Sequence, residues 1–189
     1  MKEVVVEIKT QLLILGTLVG LMWGLEILDT AVFNNGLDTL GIIPRQEIGL
    51  RGILFSPFLH GNFAHLSANT VPFIILGWLI ISQSVSRFVT VSAICMLVGG
   101  AGTWLLGASN SVHIGASGVI FGYLGYLLAR YYFDRRISSG IIALFVGTTY
   151  GSVLWGVLPS VPGISWEGHL FGFLGGIVAA KFTHSEKSR

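Results

Sequence analysis

The chain has 189 residues, of which 52% are hydrophobic and only 11% are charged, and its mean hydropathy is +0.77. This composition excludes an ordinary soluble domain and is typical of an integral membrane protein. The formal net charge of +2 is spread along the chain and gives no reason to expect nucleic-acid binding. A single cysteine, Cys95, excludes an intrachain disulfide and a cysteine-based metal cluster.

Apolar stretches predict where the chain crosses a bilayer, at roughly 20 residues per crossing. Six such stretches are predicted, at residues 11–33, 64–82, 88–107, 115–133, 138–158 and 166–183. They leave only short loops, apart from one of roughly thirty residues after the first span. The chain is therefore predicted to be a single all-α membrane domain over residues 1–189, a polytopic bundle of six transmembrane helices.

Basic residues predict the orientation of this bundle, because lysine and arginine concentrate in cytoplasmic loops. Two of them, Arg45 and Arg51, follow the first span and lie on one side. The other nine fall on the side that holds both termini: Lys2, Lys9, Arg87, Arg130, Arg135, Arg136, Lys181, Lys187 and Arg189. We therefore expect cytoplasmic termini in a prokaryotic plasma membrane, with no cleaved signal and no transit peptide before the first span.

The first span carries two acidic residues toward its outer end. Glu26 and Asp29 are three residues apart, so they share one face of a helix. Intramembrane acids often mark ion pathways, which keeps an ion transporter open as an alternative function. The preferred interpretation is a solvated helix end that leads into the long loop.

The second span begins with a polar cluster between His60 and Asn69. His65 and Asn69 are four residues apart and project from one helix face. Two such donors suit the stabilisation of an oxyanion in acyl transfer, although they equally suit a polar pair that holds helices together. His60 and His65 lack the context of a His-Glu-x-x-His motif, so neither a metal nor another cofactor is predicted.

The fourth and sixth spans carry a residue pair that suggests nucleophilic catalysis. Ser117 lies within Gly-Ala-Ser-Gly at residues 115–118, and His169 lies near the start of the sixth span. An imidazole at hydrocarbon depth is costly and is a functional-site hypothesis by default. Both residues lie near the non-cytoplasmic ends of their spans, at matching depth. The pair therefore predicts a serine nucleophile and its base within the membrane.

Glycines border both of these residues. They recur at four-residue intervals on the two spans, at Gly118 and Gly122 on the fourth and at Gly168, Gly172 and Gly176 on the sixth. Small residues at this spacing let helix backbones approach closely, although such patterns also occur in helix pairs without chemistry. The fourth and sixth helices are predicted to pack together, which would bring Ser117 to His169.

These motifs resemble those of the rhomboid family of intramembrane serine proteases. The Gly-Ala-Ser-Gly sequence around Ser117 resembles the family's GxSG motif. His169 with Gly172 and Gly176 resembles its HxxGxxxG motif, and His65 with Asn69 resembles its HxxxN motif. The three motifs occur in the family's order on the second, fourth and sixth spans, and the resemblance covers nearly the whole chain.

The resemblance implies a Ser–His dyad without an aspartate, in which Ser117 is the nucleophile and His169 is the general base and then the acid. It implies an oxyanion hole made by His65, Asn69 and the Ser117 backbone amide. Phe121 follows Ser117 by one turn and is expected to stack on the imidazole of His169, where family members often carry tyrosine. An ordinary core aromatic is the alternative interpretation of Phe121.

The implied partners are the lipid bilayer and transmembrane protein substrates, which would reach the site between the second and fifth spans. A small residue before the scissile bond and helix breakers beyond it are expected. Two departures from the family concern stabilising contacts: the first loop has no Trp-Arg pair, and the end of the second span, from Gln83 to Arg87, lacks the glutamate that is frequent there. A non-catalytic rhomboid-like protein that binds membrane helices is the alternative, and the joint presence of all three motifs favours a protease.

Overall fold

The computed structural model describes residues 2–159 and 163–185, and their regular secondary structure is helical. Two basic residues used to predict orientation, Lys187 and Arg189, lie outside the described residues. An isolated bridge between Ile42 and His113 is the one pairing of extended backbone in the described part. Six long helices, labelled α1 to α6, span Lys2–Leu28, Phe63–Ile81, Val85–Leu106, Ser117–Asp134, Ile137–Tyr150 and Trp166–Ser185.

Shorter helical turns fill the connections between these helices. A π-helical turn at Asp29–Phe33 extends α1, and 3₁₀ turns lie at Leu37–Leu40 and Glu47–Arg51 in the long first loop. A 3₁₀ segment at Gly151–Val157 continues α5. Each predicted apolar stretch therefore contains a helix, and the boundaries differ by a few residues at most of their ends.

Four helical segments in the described residues are long and apolar enough to cross a membrane: Val4–Phe33, Phe63–Ile81, Val85–Leu106 and Ile137–Val157. Length and apolarity thus support four of the six predicted membrane-crossing helices. The two helices below this apolarity, α4 and α6, carry polar residues at the bundle interior. Every residue of α4 from 119 to 127 is buried. Helices packed inside protein can carry polar side chains that would be costly against lipid.

The most extensive helix contact joins α4 and α6, and glycines create it. A Cβ atom at Gly172 would collide with the carbonyl oxygen of Gly118, and a Cβ at Gly176 would collide with that of Gly122. On the other side of α6, a Cβ at Gly99 of α3 would lie 3.3 Å from the Cα of Gly172. The predicted close packing of the fourth and sixth helices is confirmed.

Gln83, just after the end of α2, connects three helices. Its Oε1 accepts a hydrogen bond from the hydroxyl of Tyr126 on α4 and another from Nη1 of Arg87 on α3, both at 3.2 Å. A neutral amide therefore makes contacts with the neighbouring helices here. Despite this departure from the family pattern, Gln83 links α2 to α3 and α4 at this end of the bundle.

The prediction of a solvated end for α1 is wrong. Glu26 and Asp29 are each only 3% exposed. The backbone N–H of Leu37 donates to Oδ1 of Asp29 at 2.8 Å, so the start of the first loop folds back over the helix end and covers it. Burial, and then the charge of Asp29, raise the pKa of Asp38 to about 6. These contacts give Asp29 a structural role in closing the loop.

Candidate active site

Ser117 is the first residue of α4, two residues later than the predicted start of this span. The turn before it passes through Gly115, whose φ of +114° is a conformation that favours glycine. The N–H of Gly115 donates to the carbonyl of Ser56 at 2.8 Å, and the N–H of Ala116 donates to Nε2 of His60 at 3.4 Å. The Ser117 N–H belongs to the first turn of α4, where backbone donors lack partners within the helix.

His169 reaches Ser117 from the first turn of α6. The distance between Oγ of Ser117 and Nε2 of His169 is 2.9 Å. The helices are close at this level because Gly118 carries no side chain: a Cβ there would lie 3.3 Å from the carbonyl oxygen of Gly168. The glycines beside Ser117 and His169 therefore set the hydrogen-bonding distance between them.

The imidazole of His169 is held by a backbone carbonyl and by an aromatic ring. Its Nδ1 lies 2.9 Å from the carbonyl oxygen of Gly156. Because a carbonyl only accepts, Nδ1 carries the hydrogen and Nε2 presents its lone pair to the hydroxyl of Ser117. The ring of Phe121 stacks on the imidazole, with centroids 4.0 Å apart and planes inclined by 7°. Together these contacts fix the tautomer and the plane of the imidazole.

Gly156 belongs to the 3₁₀ segment after α5, and its lack of a side chain allows the backbone to lie close to Phe121 and His169. A Cβ atom there would lie 2.9 Å from Cζ of Phe121 and 3.3 Å from Nδ1 of His169. Only a residue without a side chain lets this backbone approach both rings at once. The segment after α5 therefore orients the histidine, a role that no single side chain in the sequence indicated.

Helix α2 contributes His65 and Asn69. The side chain of Asn62 caps this helix by accepting the N–H of His65 at 2.8 Å. The His65 imidazole packs on the turn before Ser117, since a Cβ at Gly115 would lie 2.7 Å from its Cε1. Asn69 is buried and donates through Nδ2 to the carbonyl of His65 at 2.9 Å. One amide hydrogen of Asn69 is thus used within the helix, and a second remains.

A large cavity brings the predicted residues together. Its volume is about 1300 Å³, and its walls come from α2, α4, α5 and the segment that leads into α6. Pro72 and Leu76 line it on α2, and Thr149 and Tyr150 line it on α5. A volume of this size accommodates an extended stretch of polypeptide. All the predicted site residues border it: His65, Asn69, Ser117, Phe121 and His169.

His113 also borders the cavity, and the sequence analysis did not identify it. Its Nε2 lies 2.7 Å from Oγ of Ser111 and its Nδ1 lies 2.6 Å from Oγ of Ser165. Ser165 in turn accepts the N–H of Gly168 at 3.4 Å, in the first turn of α6. Burial lowers the pKa of His113, against the opposing charge of Glu167. This network ties the loop before Ser117 to the start of α6, the helix that carries His169.

Acidification is expected to destabilise the fold through His60. Burial, and then the neighbouring His65, lower the pKa of His60 to about 4, so the folded protein keeps His60 neutral as the acceptor for Ala116. The unfolded chain binds this proton near the ordinary histidine value of about 6.5. The contribution of neutral His60 to the free energy of unfolding is therefore fully present above that value. As the pH falls towards 4, the free energy of unfolding decreases by on the order of 3 kcal/mol. Thermal unfolding in detergent across this range measures the loss.

The control for this prediction is His60→Gln. Glutamine retains a side-chain acceptor for the Ala116 N–H but does not titrate, so the pH dependence of its unfolding temperature should be flatter than in the wild type. An equally steep dependence in the variant would assign the acid sensitivity to other groups.

These observations define a class of protein: a helical membrane protein that holds a serine and a histidine in hydrogen-bonding contact beside a large cavity. A family model described as the Rhomboid domain matches residues 49–186. The chain belongs to the rhomboid family, and with its apolar helices it is an integral membrane protein.

Similar proteins include two whose names carry that of the family. An uncharacterized protein of Mycobacterium tuberculosis is 43% identical over 175 residues, which cover 87% of this chain and 71% of the relative. The "Putative rhomboid protease YdcA" of Bacillus subtilis is 30% identical over 72% of this chain and 69% of the relative. "RHOMBOID-like protein 4" of Arabidopsis thaliana is 27% identical over 76% of this chain and 36% of the relative.

Proposed function

We propose that this protein is an intramembrane serine endopeptidase that cleaves membrane-anchored proteins within or next to their transmembrane helices. The observation that carries the proposal is the contact between Ser117 and His169. The 2.9 Å hydrogen bond places the serine hydroxyl on the nitrogen of His169 that accepts a proton. The Gly156 carbonyl on the opposite nitrogen takes the orienting position that an aspartate occupies in a Ser-His-Asp triad.

The first half of the reaction is acylation of the serine. Oγ of Ser117 attacks the scissile carbonyl carbon while its proton passes to Nε2 of His169. The resulting imidazolium is stabilised by the Gly156 carbonyl and by the face of the Phe121 ring, which attracts cations. His169 then donates this proton to the leaving amine, and the carbonyl carbon remains esterified to Ser117.

Oxyanion stabilisation is assigned to groups around the start of α4. The tetrahedral intermediate carries a negative oxygen, and the Ser117 N–H at the helix N-terminus points a backbone donor and a favourable dipole at it. His65 and Asn69 border the same cavity and supply side-chain donors. The second half of the reaction repeats these steps with water, which His169 activates for attack on the ester.

Substrate access is proposed between α2 and α5. The cavity that contains Ser117 extends to both helices. Helix α5 and the segment after it leave space around their glycines: a Cβ at Gly147 of α5 would make only an ordinary contact of 3.6 Å with Leu128, and a Cβ at Gly151, the first residue of the 3₁₀ segment, would meet nothing within 4 Å. Helical carbonyls are hydrogen-bonded and shielded, so a substrate must unwind before Ser117 reaches it. Substrates with weak helices near the cleavage site are therefore expected.

The proposed topology has six crossings, with α4 and α6 as inner helices of the bundle. The distribution of basic residues supports cytoplasmic termini, and a prokaryotic plasma membrane is the proposed location. The site would then open towards the non-cytoplasmic side, where water is available for hydrolysis.

Labelling with a fluorophosphonate probe tests the proposal, because only an activated serine reacts with it. The detergent-purified wild type should label, whereas Ser117→Ala and His169→Ala should not. The alternative is a non-catalytic rhomboid-like protein that binds membrane helices. Absence of labelling in a folded wild type would favour that alternative.

Replacement of Asn69 by alanine is expected to slow turnover without unfolding the protein. We expect kcat to fall by about 10- to 1000-fold, near the range for loss of one oxyanion donor. Because the bond from Nδ2 to the His65 carbonyl lies within a helix turn, its loss should have only a small effect on stability. Initial rates of cleavage measure the effect, and an unchanged rate would make Asn69 a structural residue.

A further inference from the structure

A second cavity lies at the opposite end of the bundle from Ser117. Its volume is about 190 Å³, and it lies where α3 begins and where α4 and α6 end. Along α4, the thirteen steps from Ser117 to Arg130 correspond to about 20 Å at the helical rise per residue. The side chains with polar groups on its wall are Arg87, Arg130, Arg136, Asp134, Thr183 and His184.

The positive charge in this cavity exceeds the negative charge. Three guanidinium groups face one carboxylate, that of Asp134. This carboxylate is already occupied by Nε of Arg130 at 3.0 Å, Oγ of Ser139 at 2.8 Å and the N–H of Arg136 at 3.1 Å. The guanidinium of Arg136 makes no hydrogen bond within the described residues, and the bond of Arg130 uses Nε alone. Several strong donors are therefore available to an anion.

Phosphate is the anion that this arrangement suits. Guanidinium groups present planar, paired donors that match phosphate oxygens. Arg130 has a side chain only 15% exposed, so its charge is partly removed from water, and an anion in the cavity would offset that cost. The hydroxyl of Thr183 donates to the Ala179 carbonyl at 2.9 Å, so the arginines carry the recognition.

The faces around the cavity indicate the source of the phosphate. Exposed apolar side chains lie on the same ends of the three helices, with Val89 on α3 57% exposed, Tyr132 on α4 66% exposed and Phe182 on α6 51% exposed. Exposed tyrosine at a helix end is typical of a membrane interface. Basic pockets between transmembrane helices bind anionic headgroups. A phosphate at this position would continue into acyl chains along the apolar faces.

We propose that this cavity binds the phosphodiester headgroup of an anionic phospholipid, between α3, α4 and α6. The lipid would hold together the ends of the two helices that carry Ser117 and His169 at their other ends. This inference goes beyond the proposed peptidase function, and its test needs no cleavage assay.

Native mass spectrometry of the delipidated full chain tests the site, with phosphatidylglycerol and phosphatidylcholine offered at equal concentration. The wild type should retain one phosphatidylglycerol in preference to phosphatidylcholine. Arg87→Gln/Arg136→Gln should reduce this adduct about tenfold, because each charge-assisted contact contributes substantially to affinity. The matched control is Arg135→Gln: its guanidinium lies over the ring of Tyr132 at 5.0 Å and is absent from the cavity wall.

Three outcomes would overturn the proposal. Equal retention of the lipid by the wild type and by the double variant would show that the lipid does not bind in this cavity. An equal loss in Arg135→Gln would make the binding a general effect of surface charge. Displacement of the lipid by an equimolar amount of inorganic phosphate or glycerol 3-phosphate would assign the cavity to free phosphate. Arg136→Gln alone keeps the test valid if the double variant unfolds, because the Arg136 side chain is exposed and makes no hydrogen bond to the residues that the structure describes.

Discussion

Ser117→Ala is expected to abolish cleavage of a transmembrane substrate, with a rate reduced by at least about 1000-fold, while the protein remains folded. Activity is lost because no other hydroxyl occupies the position that hydrogen-bonds Nε2 of His169. The fold should survive because alanine is smaller than serine and only one hydrogen bond disappears, at a cost of about 1 kcal/mol. Initial cleavage rates in proteoliposomes and the unfolding temperature in detergent provide the two measurements.

The matched control for this prediction is Ser67→Ala. Ser67 is an exposed serine on α2, between His65 and Asn69, and makes no hydrogen bond through its side chain in the described structure. Its replacement should leave the cleavage rate within about twofold of the wild type, since surface substitutions are usually near neutral. Cleavage by Ser117→Ala at more than a tenth of the wild-type rate would show that another group acts as the nucleophile.

The positions of the helices and the packing of α4 on α6 were predictable because both depend on local features of the sequence. An apolar run of sufficient length forms a helix whatever its neighbours are. Glycines at four-residue intervals lie on one face of that helix, so Gly118 and Gly172 were already placed on surfaces suited to close approach. Ser117 and His169 adjoin those faces, and their contact follows from the packing.

The orientation of His169 was not predictable, because it depends on a backbone carbonyl. Every residue has such a carbonyl, and only the path of the 3₁₀ segment at Gly151–Val157 directs the one at Gly156 to Nδ1. The partner of His113 is similarly remote, since Ser165 lies 52 residues away in the sequence. The need for glycine at position 156 could likewise be recognised only from the positions of the Phe121 and His169 rings.

Two other predictions considered one helix at a time, and one of them was wrong. The acidic pair on α1 was assigned to a solvated end, but the first loop returns over it and buries Glu26 and Asp29. The six crossings were counted on apolarity, whereas α4 and α6 fall below the apolarity of the other helices. Interior helices exchange lipid contacts for protein contacts, which permits polar residues such as Glu167 and His169.

Gly172→Ala is expected to destabilise the bundle by about 3 kcal/mol. A Cβ at this position would overlap the carbonyl oxygen of Gly118, and neither backbone can yield without separating α4 from α6. Because that contact lies within one turn of both Ser117 and His169, the 2.9 Å hydrogen bond between them should also lengthen. Cleavage should then fall together with stability, measured by unfolding in a denaturing detergent.

Gly20→Ala on α1 distinguishes this mechanism from a general sensitivity of membrane helices to glycine replacement. A Cβ at Gly20 would meet nothing within 4 Å, so alanine adds helix propensity without overlap and should be neutral or stabilising by up to about 1 kcal/mol. The two variants make the same chemical change in the middle of a long helix and differ only in what the new methyl group meets. If both lose the same stability, the packing of α4 on α6 is not what holds Ser117 against His169; if only Gly172→Ala does, the glycine contact positions the site.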